Sequence, residues 1–132
     1  MSRQNLEVVR QAIDAHVRPD VEAMRRVTSA DVELDWSASR GWLAGVYRGF
    51  EEVMRFYADY YAAFEEIMLE AESYTSAGEY VVVPNTAYQR GRDGIEVSAR
   101  ATFVFTVYDG RITRICLYQE TQEALEAVGL AD

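Results

Sequence analysis

Apolar residues recur at spacings of three and four between residues 49 and 66, which predicts an amphipathic helix. Its apolar stripe is rich in aromatic residues, while most charged residues of the segment fall on the other side. The stripe contains Phe50, Val53, Tyr57, Tyr60 and Phe64, widened by Phe56 and Tyr61. A buried tyrosine needs a partner for its hydroxyl. The helix therefore indicates either a core whose hydroxyls reach its rim or the wall of a partly polar ligand cavity.

Three other segments show the helical period. Residues 3–17 form the first, with Leu6, Val9, Ile13 and Val17 on one face. Pro19 ends this helix because proline lacks a backbone donor, and Asp20 can cap a short second helix that ends at Val27. A closing helix is predicted over residues 121–128.

Alternation of apolar and polar residues predicts five strands. They cover residues 31–36, 69–76, 79–90, 95–108 and 111–120. The pattern is clearest in the fourth strand, where every odd-numbered residue from Ile95 to Val107 is apolar. Asp93-Gly94 and Asp109-Gly110 predict tight turns on either side of it. Pro84 predicts an edge or a bulge in its strand, since it cannot donate to a sheet ladder.

The order of these elements predicts one α+β domain over residues 1–132. A curved antiparallel sheet, with the helices packed on its concave face, is the arrangement typical of such segregation. A sheet curled over an aromatic helix leaves a cone-shaped cavity between them, where a small apolar ligand can bind.

Composition narrows the classes of function. The net charge of −9 and 13 scattered basic residues argue against nucleic-acid binding, which needs clustered positive charge. Cys116 is the only cysteine, so we expect no internal disulfide and a reducing, cytoplasmic location. No apolar run has the length of a membrane span. No spacing of histidine or carboxylate residues predicts a metal site, and nothing indicates a cofactor.

The chain resembles the NTF2-like superfamily, and within it the SnoaL-like and ketosteroid-isomerase-like proteins. The resemblance rests on NLEVVRQAI, SADVELDW, GVYRGFEEVMRFY, SAGEYVVV, TVYDGRI and EALEAVGL, in this order. It implies a cone-shaped, cystatin-like fold and a homodimer through the outer face of the sheet. Similar proteins include steroid isomerases, polyketide cyclases, epoxide hydrolases and members without known activity.

The main catalytic residues of the ketosteroid isomerases have no equivalents in this sequence. Aligned on this chain, the helix-one tyrosine of the isomerases falls on Ala12, their general base on Trp36 and their oxyanion-binding acid near Ala101. Only a supporting tyrosine is matched, by Tyr57 in MRFY. The catalytic aspartate of the epoxide hydrolases falls on Leu117. The resemblance therefore predicts the fold without the usual catalytic groups.

Two residues remain as acid or base candidates. His16 is the only histidine, and related cyclases use a pocket histidine; the alternative is a structural residue on the first helix. Asp35 would reach the position of the isomerase base if a bulge shifted its strand by one residue. Strict alternation instead turns Asp35 away from the cone.

Three hypotheses follow. The first is a binder of a small hydrophobic molecule; the second is an isomerase, cyclase or hydrolase with Asp35 as base; the third is a dimeric interaction module. The predicted pocket consists of Trp36, Trp42, Tyr47, Tyr57, Tyr61, Asn85, Tyr88, Phe103, Leu117 and Gln119. Arg40 and Arg48 near the predicted mouth can hold an anionic ligand or be ordinary exposed arginines.

Overall fold

The computed structural model describes residues 2–17, 20–41 and 43–130. The helices are α1 (Ser2–Val17), α2 (Val21–Val27), α3 (Phe50–Ala62) and α4 (Thr121–Ala127). The strands are β1 (Thr28–Asp35), β2 (Val46–Arg48), β3 (Glu66–Ala71), β4 (Thr75–Ala77), β5 (Tyr80–Arg90), β6 (Glu96–Tyr108) and β7 (Arg111–Tyr118). The predicted α+β class is confirmed.

The strands form one sheet in the order β2-β1-β7-β6-β5-β3, and β4 pairs with β5 beside β3. The meander from β5 to β7 is antiparallel, as predicted. However, β1 pairs with β7 in the parallel sense, so the sheet is mixed. A tight hairpin forces antiparallel pairing. β1 and β7 have no hairpin between them, and the sequence pattern therefore did not constrain their relative direction.

Irregularities in the ladders bend the sheet. The register shifts between Thr28 and Glu33 where β1 meets β7, and between Thr106 and Val107 where β6 meets β7. Such bulges kink a strand and increase its twist. Pro84 lies where the partner of β5 changes from β4 to β3, and its carbonyl accepts the N–H of Glu72 at 2.8 Å. The absent N–H of this proline thus breaks no continuous ladder.

Helices α1, α2 and α3 cover the inner face of the sheet. The core there includes Val9 of α1, Val53 of α3 and Val83 of β5, none of which is exposed. Helix α4 instead packs on the outer face, where Ala124 contacts the cluster of Val82 and Val104. The prediction that the helices pack on the concave face is therefore wrong for α4. The reason is that β5 and β6 carry apolar residues on both faces at this point.

Several element boundaries differ from the predicted ones. The segment 69–76 is divided between β3 and β4, and residues 46–48, for which no strand was predicted, form β2. Helix α3 ends at Ala62, short of the predicted 66, because the chain turns there and enters β3. Its most buried ring belongs to Phe56, at 2% exposure, and not to the tyrosines of the stripe.

Candidate functional site

A cavity of about 520 Å³ opens between the inner face of the sheet, the end of α3 and the loop that follows β1. Strand β6 is longer than β7, whose pairing with it begins at Thr102. Residues 98–101 of β6 therefore extend beyond β7 and contribute to the cavity wall. The lining residues are Trp36, Ser39, Arg40, Gly41, Leu43, Tyr60, Phe64, Ile67, Leu69, Asn85, Ala87, Gln89, Ser98, Ala99, Arg100, Ala101, Phe103, Leu117 and Gln119.

Aromatic and aliphatic side chains form the inner part of the cavity. Trp36 follows β1, Phe103 lies on β6 and Leu117 lies on β7. All three are less than 10% exposed, and the rings of Trp36 and Phe103 are 5.5 Å apart between centroids. They face the same side because Phe103 and Leu117 are directly paired across the two strands. This end of the cavity offers an apolar surface to a ring.

Asn85 places an amide in this apolar setting. It lies on β5, is only 1% exposed, and its Nδ2 donates to the carbonyl of Val83 at 3.0 Å. Among the described residues, no donor reaches the side-chain oxygen of Asn85. An amide oxygen at a cavity that accepts no hydrogen bond from the protein can accept one from a water or a ligand. Asn85 is therefore suited to bind a hydroxyl group of a ligand.

Two further side-chain amides form hydrogen bonds that connect the elements around the cavity. Gln89 donates its Nε2 to the Tyr60 hydroxyl, which links β5 to α3. Burial raises the pKa of Tyr60 above its ordinary value, and the bond from Gln89 only partly offsets this, so the hydroxyl stays protonated at neutral pH. Gln119 donates to the carbonyl of Ala38 at 2.7 Å and ties the loop after β1 to the end of β7.

Five of the predicted pocket residues meet at this cavity. They are Trp36, Asn85, Phe103, Leu117 and Gln119. Trp42, which was also predicted, lies outside the described residues. Four predicted tyrosines are not among the lining residues: Tyr47, Tyr57, Tyr61 and Tyr88.

Strand alternation and side-chain packing explain why these four tyrosines do not line the cavity. Tyr88 lies on the outer face, because its neighbours Ala87 and Gln89 face the cavity and adjacent residues of a strand point to opposite sides. The ring of Tyr47 packs 4.8 Å from that of Phe56, and its hydroxyl donates to the carbonyl of Leu43 at 2.6 Å.

Tyr57 and Tyr61 belong to the packing of α3. Tyr57 borders a separate narrow gap between α1 and the sheet. Burial raises the pKa of both tyrosines above the ordinary value, so both are neutral. Position on the aromatic stripe was therefore not sufficient to place a tyrosine at the cavity.

Several lining residues were missed. Ile67 and Leu69 alternate on β3, and Gln89 continues the alternation that begins at Asn85 on β5, so the period of two contained this signal. Tyr60 and Phe64 were recognised on the aromatic stripe but were not assigned to the pocket. Nothing in the pattern distinguished Ser39 and Leu43, since they lie in a loop, whereas Arg40 was already considered near the predicted mouth.

Asp35 lies on the outer face of the sheet, away from the cavity. Its carboxylate accepts from Arg114 at 3.0 Å, and the hydroxyl of Ser37 donates to it at 2.5 Å. Desolvation raises the pKa of Asp35, but the hydrogen bonds from Ser37 and the charge of Arg114 outweigh it, so the pKa is below its ordinary value. A carboxylate held in this way is a structural ion-pair partner and does not face a ligand in the cavity.

Three further points raised by the sequence concern His16, metal binding and membrane insertion. The side chain of His16 lies outside what the structure describes. Within the described ranges, no group of three or more His, Cys, Asp or Glu side chains is arranged to hold a metal ion. In the same part of the chain, no helix has the length and apolarity needed to cross a membrane.

The fold agrees with a comparison against known families. The SnoaL-like domain matches residues 9–115, which is more than half of the chain. The chain belongs to the SnoaL-like family. None of the curated proteins matches the sequence of this SnoaL-like protein.

Solved structures support the same fold. An NTF2-like protein of unknown function from Burkholderia pseudomallei has a TM-score of 0.78 and 22% identity, over 95% of this chain and 97% of the other. A candidate SnoaL-like polyketide cyclase from Jannaschia sp. CCS1 has a TM-score of 0.77 and 18% identity, over 99% and 95%. TerC, crystallised with polyporic acid, has a TM-score of 0.78 and 20% identity, over 95% and 97%. At these identities the likeness establishes the NTF2-like fold.

Proposed function

We propose that this SnoaL-like protein binds a small hydrophobic ring compound in the cavity between the sheet and α3. The observation that carries the proposal is the partly open cavity of about 520 Å³ with Asn85 in its otherwise apolar inner part. Cavities of roughly 300–1,000 Å³ with apolar walls and a few fixed polar groups are typical of small-molecule sites.

The lining favours an aromatic or alicyclic ligand with an oxygen substituent. Trp36 and Phe103 present ring surfaces, on which a second ring can stack or pack by its edge. Asn85 then receives a hydroxyl group at its side-chain oxygen, or donates a second amide hydrogen to a carbonyl. The polyporic acid present in the TerC structure is consistent with such a ligand in a protein of the same fold.

The chemistry of the lining supports binding over catalysis. Among the described lining residues there is no histidine, carboxylate or cysteine that could transfer a proton or attack a substrate. Asp35, the base of the alternative enzyme hypothesis, is paired with Arg114 on the other side of the sheet. We therefore do not propose proton abstraction by Asp35.

A blocking substitution tests the proposal. Ala101 lines the cavity on β6, and a tryptophan at this position occupies space that a ligand needs. We expect wild type to bind 2-naphthol in isothermal titration calorimetry, and Ala101→Trp to lower the affinity about tenfold or more. Ala58→Trp on the exposed side of α3 adds the same ring away from the cavity and serves as the matched control.

Circular dichroism must show that both variants are folded. Loss of 2-naphthol binding in Ala101→Trp alone supports the cavity as the site. Equal affinity of wild type and Ala101→Trp would contradict the proposal.

A further inference from the structure

Resting on the proposed function, we infer that the ligand is an acid: its hydrophobic ring is buried in the cavity, and its anionic group pairs with Arg40 at the mouth. The inference names a class of ligand, which is an aromatic or alicyclic carboxylic acid or an equally acidic enol. It depends on the distribution of charge around the cavity.

The charged residues that line the cavity have the opposite sign to the net charge of the chain. Acidic residues outnumber basic residues by 22 to 13 in the sequence, and the net charge is −9. Among the described lining residues, in contrast, the charged side chains are two arginines, Arg40 and Arg100, and no carboxylate is present. The lining therefore presents only positive formal charge to a ligand.

Arg100 is already neutralised by a partner. Its Nε lies 2.6 Å from one carboxylate oxygen of Glu72, and a terminal nitrogen lies 2.9 Å from the other. This two-point geometry satisfies the guanidinium plane of Arg100. Glu72 is therefore the acceptor that an anionic ligand would have to displace, and Arg100 is not the favoured binding residue.

Arg40 has no such partner. Within the described part of the chain it forms no ion pair and no side-chain hydrogen bond, and it is exposed in the loop after β1. Arg48 is the other arginine considered near the mouth. Its Nε lies 3.4 Å from a carboxylate oxygen of Glu33, so it already has an ion-pair partner on the outer face. Arg40 is thus the lining arginine whose guanidinium is available to a ligand.

The loop position suits this role. Ser39 and Gly41 on either side of Arg40 also line the cavity, and Gln119 holds the preceding Ala38 at 2.7 Å. The start of the loop is therefore fixed to the end of β7, which reduces the entropy lost when Arg40 engages a ligand. The planar guanidinium matches a carboxylate through two parallel hydrogen bonds.

The test compares an acid with its neutral ester. 6-Hydroxy-2-naphthoate and its methyl ester share one ring system and one hydroxyl group, and differ at the other end by the negative charge and one methyl group. We expect wild type to bind the acid about fivefold more tightly than the ester in calorimetry at pH 7. Arg40→Gln should abolish this preference and leave the affinity for the ester unchanged.

Two variants serve as controls. Arg40→Lys keeps the positive charge and should retain part of the preference for the acid. Arg55→Gln removes an exposed arginine of α3 that does not line the cavity, and it should retain the whole preference although the net charge changes equally.

The outcomes separate this inference from the proposed function. Equal binding of acid and ester by wild type overturns the inference and leaves the proposed function standing. A preference for the acid that survives in Arg40→Gln overturns the assignment to Arg40. Failure of both compounds to bind a wild type that still binds 2-naphthol overturns the inference alone. Failure of 2-naphthol as well overturns the proposed function, and the inference with it.

Discussion

Replacement of Asn85 by leucine separates the stability of the fold from recognition of a ligand. Asn85 is 1% exposed, and its one described side-chain hydrogen bond runs to the carbonyl of Val83 at 3.0 Å. Loss of a neutral hydrogen bond costs about 1 kcal/mol. Leucine has a similar size and buries apolar carbon in place of an amide, which returns about 1 kcal/mol. We therefore expect Asn85→Leu to change the free energy of unfolding by less than about 1 kcal/mol.

The effect on binding should be larger. With leucine at this position, the hydroxyl of a bound ligand loses its acceptor and is buried without a partner, at a cost of about 1–2 kcal/mol. This corresponds to about a 5- to 30-fold loss of affinity. Naphthalene carries no hydroxyl, so its affinity should be unchanged or slightly higher in the variant.

The assay is a comparison of 2-naphthol and naphthalene by calorimetry on wild type, Asn85→Leu and Thr86→Val. Thr86 is the next residue of β5, where alternation turns the side chain to the outer face, so its substitution controls for a change in strand polarity. Urea denaturation supplies the free energies of unfolding. Equal weakening of both compounds by Asn85→Leu, or an unchanged affinity for 2-naphthol, would refute the role of the Asn85 amide.

Two further predictions concern the outer face. Asp35→Asn should lower the free energy of unfolding by about 1 kcal/mol at pH 7, since it weakens a partly exposed ion pair with Arg114, and should leave 2-naphthol binding unchanged. The folded pKa of Asp35 is lowered, so the stabilisation exists above the ordinary value of 3.8 and disappears as the pH falls through the folded pKa. We also propose a homodimer through the exposed Met68 and Tyr88, which Tyr88→Glu should dissociate in sedimentation velocity, whereas Tyr108→Glu should not.

Specific experimental outcomes would contradict these two predictions. For Asp35, urea denaturation at pH 7 and pH 3 should show that the difference in free energy of unfolding between variant and wild type narrows at the lower pH. A constant difference would mean that the ion pair is not its source. For Tyr88, a wild-type protein that remains monomeric at all concentrations would exclude the proposed dimer.

Much of the fold was predictable because its signals are local. The odd-numbered residues of β6 from Ala99 to Val107 face the core and the cavity, as the period of two requires, whereas Val97 is 50% exposed. The Asp109-Gly110 turn has the positive φ angles of a tight hairpin, 53° and 77°. The outward position of Asp35 follows from the same alternation, since Leu34 and Trp36 on either side are buried.

The unpredicted features depend on contacts between distant segments. The parallel pairing of β1 with β7 and the position of α4 on the outer face involve no turn that a local pattern can indicate. The pocket was only partly predicted for the same reason. Helical periodicity gives an apolar stripe, but which of its tyrosines reaches the cavity depends on how α3 is seated against Trp36 and Tyr47.

The most direct test of a ligand-binding cavity is native mass spectrometry of gently purified wild type and Ala101→Trp, followed by denaturing extraction. We expect wild type to carry a small hydrophobic compound which is absent from the blocked variant, and the extracted compound to contain an acidic group. Wild type that is free of any bound compound, and that also fails to bind 2-naphthol and 6-hydroxy-2-naphthoate when these are added, would contradict a ligand-binding role for the cavity.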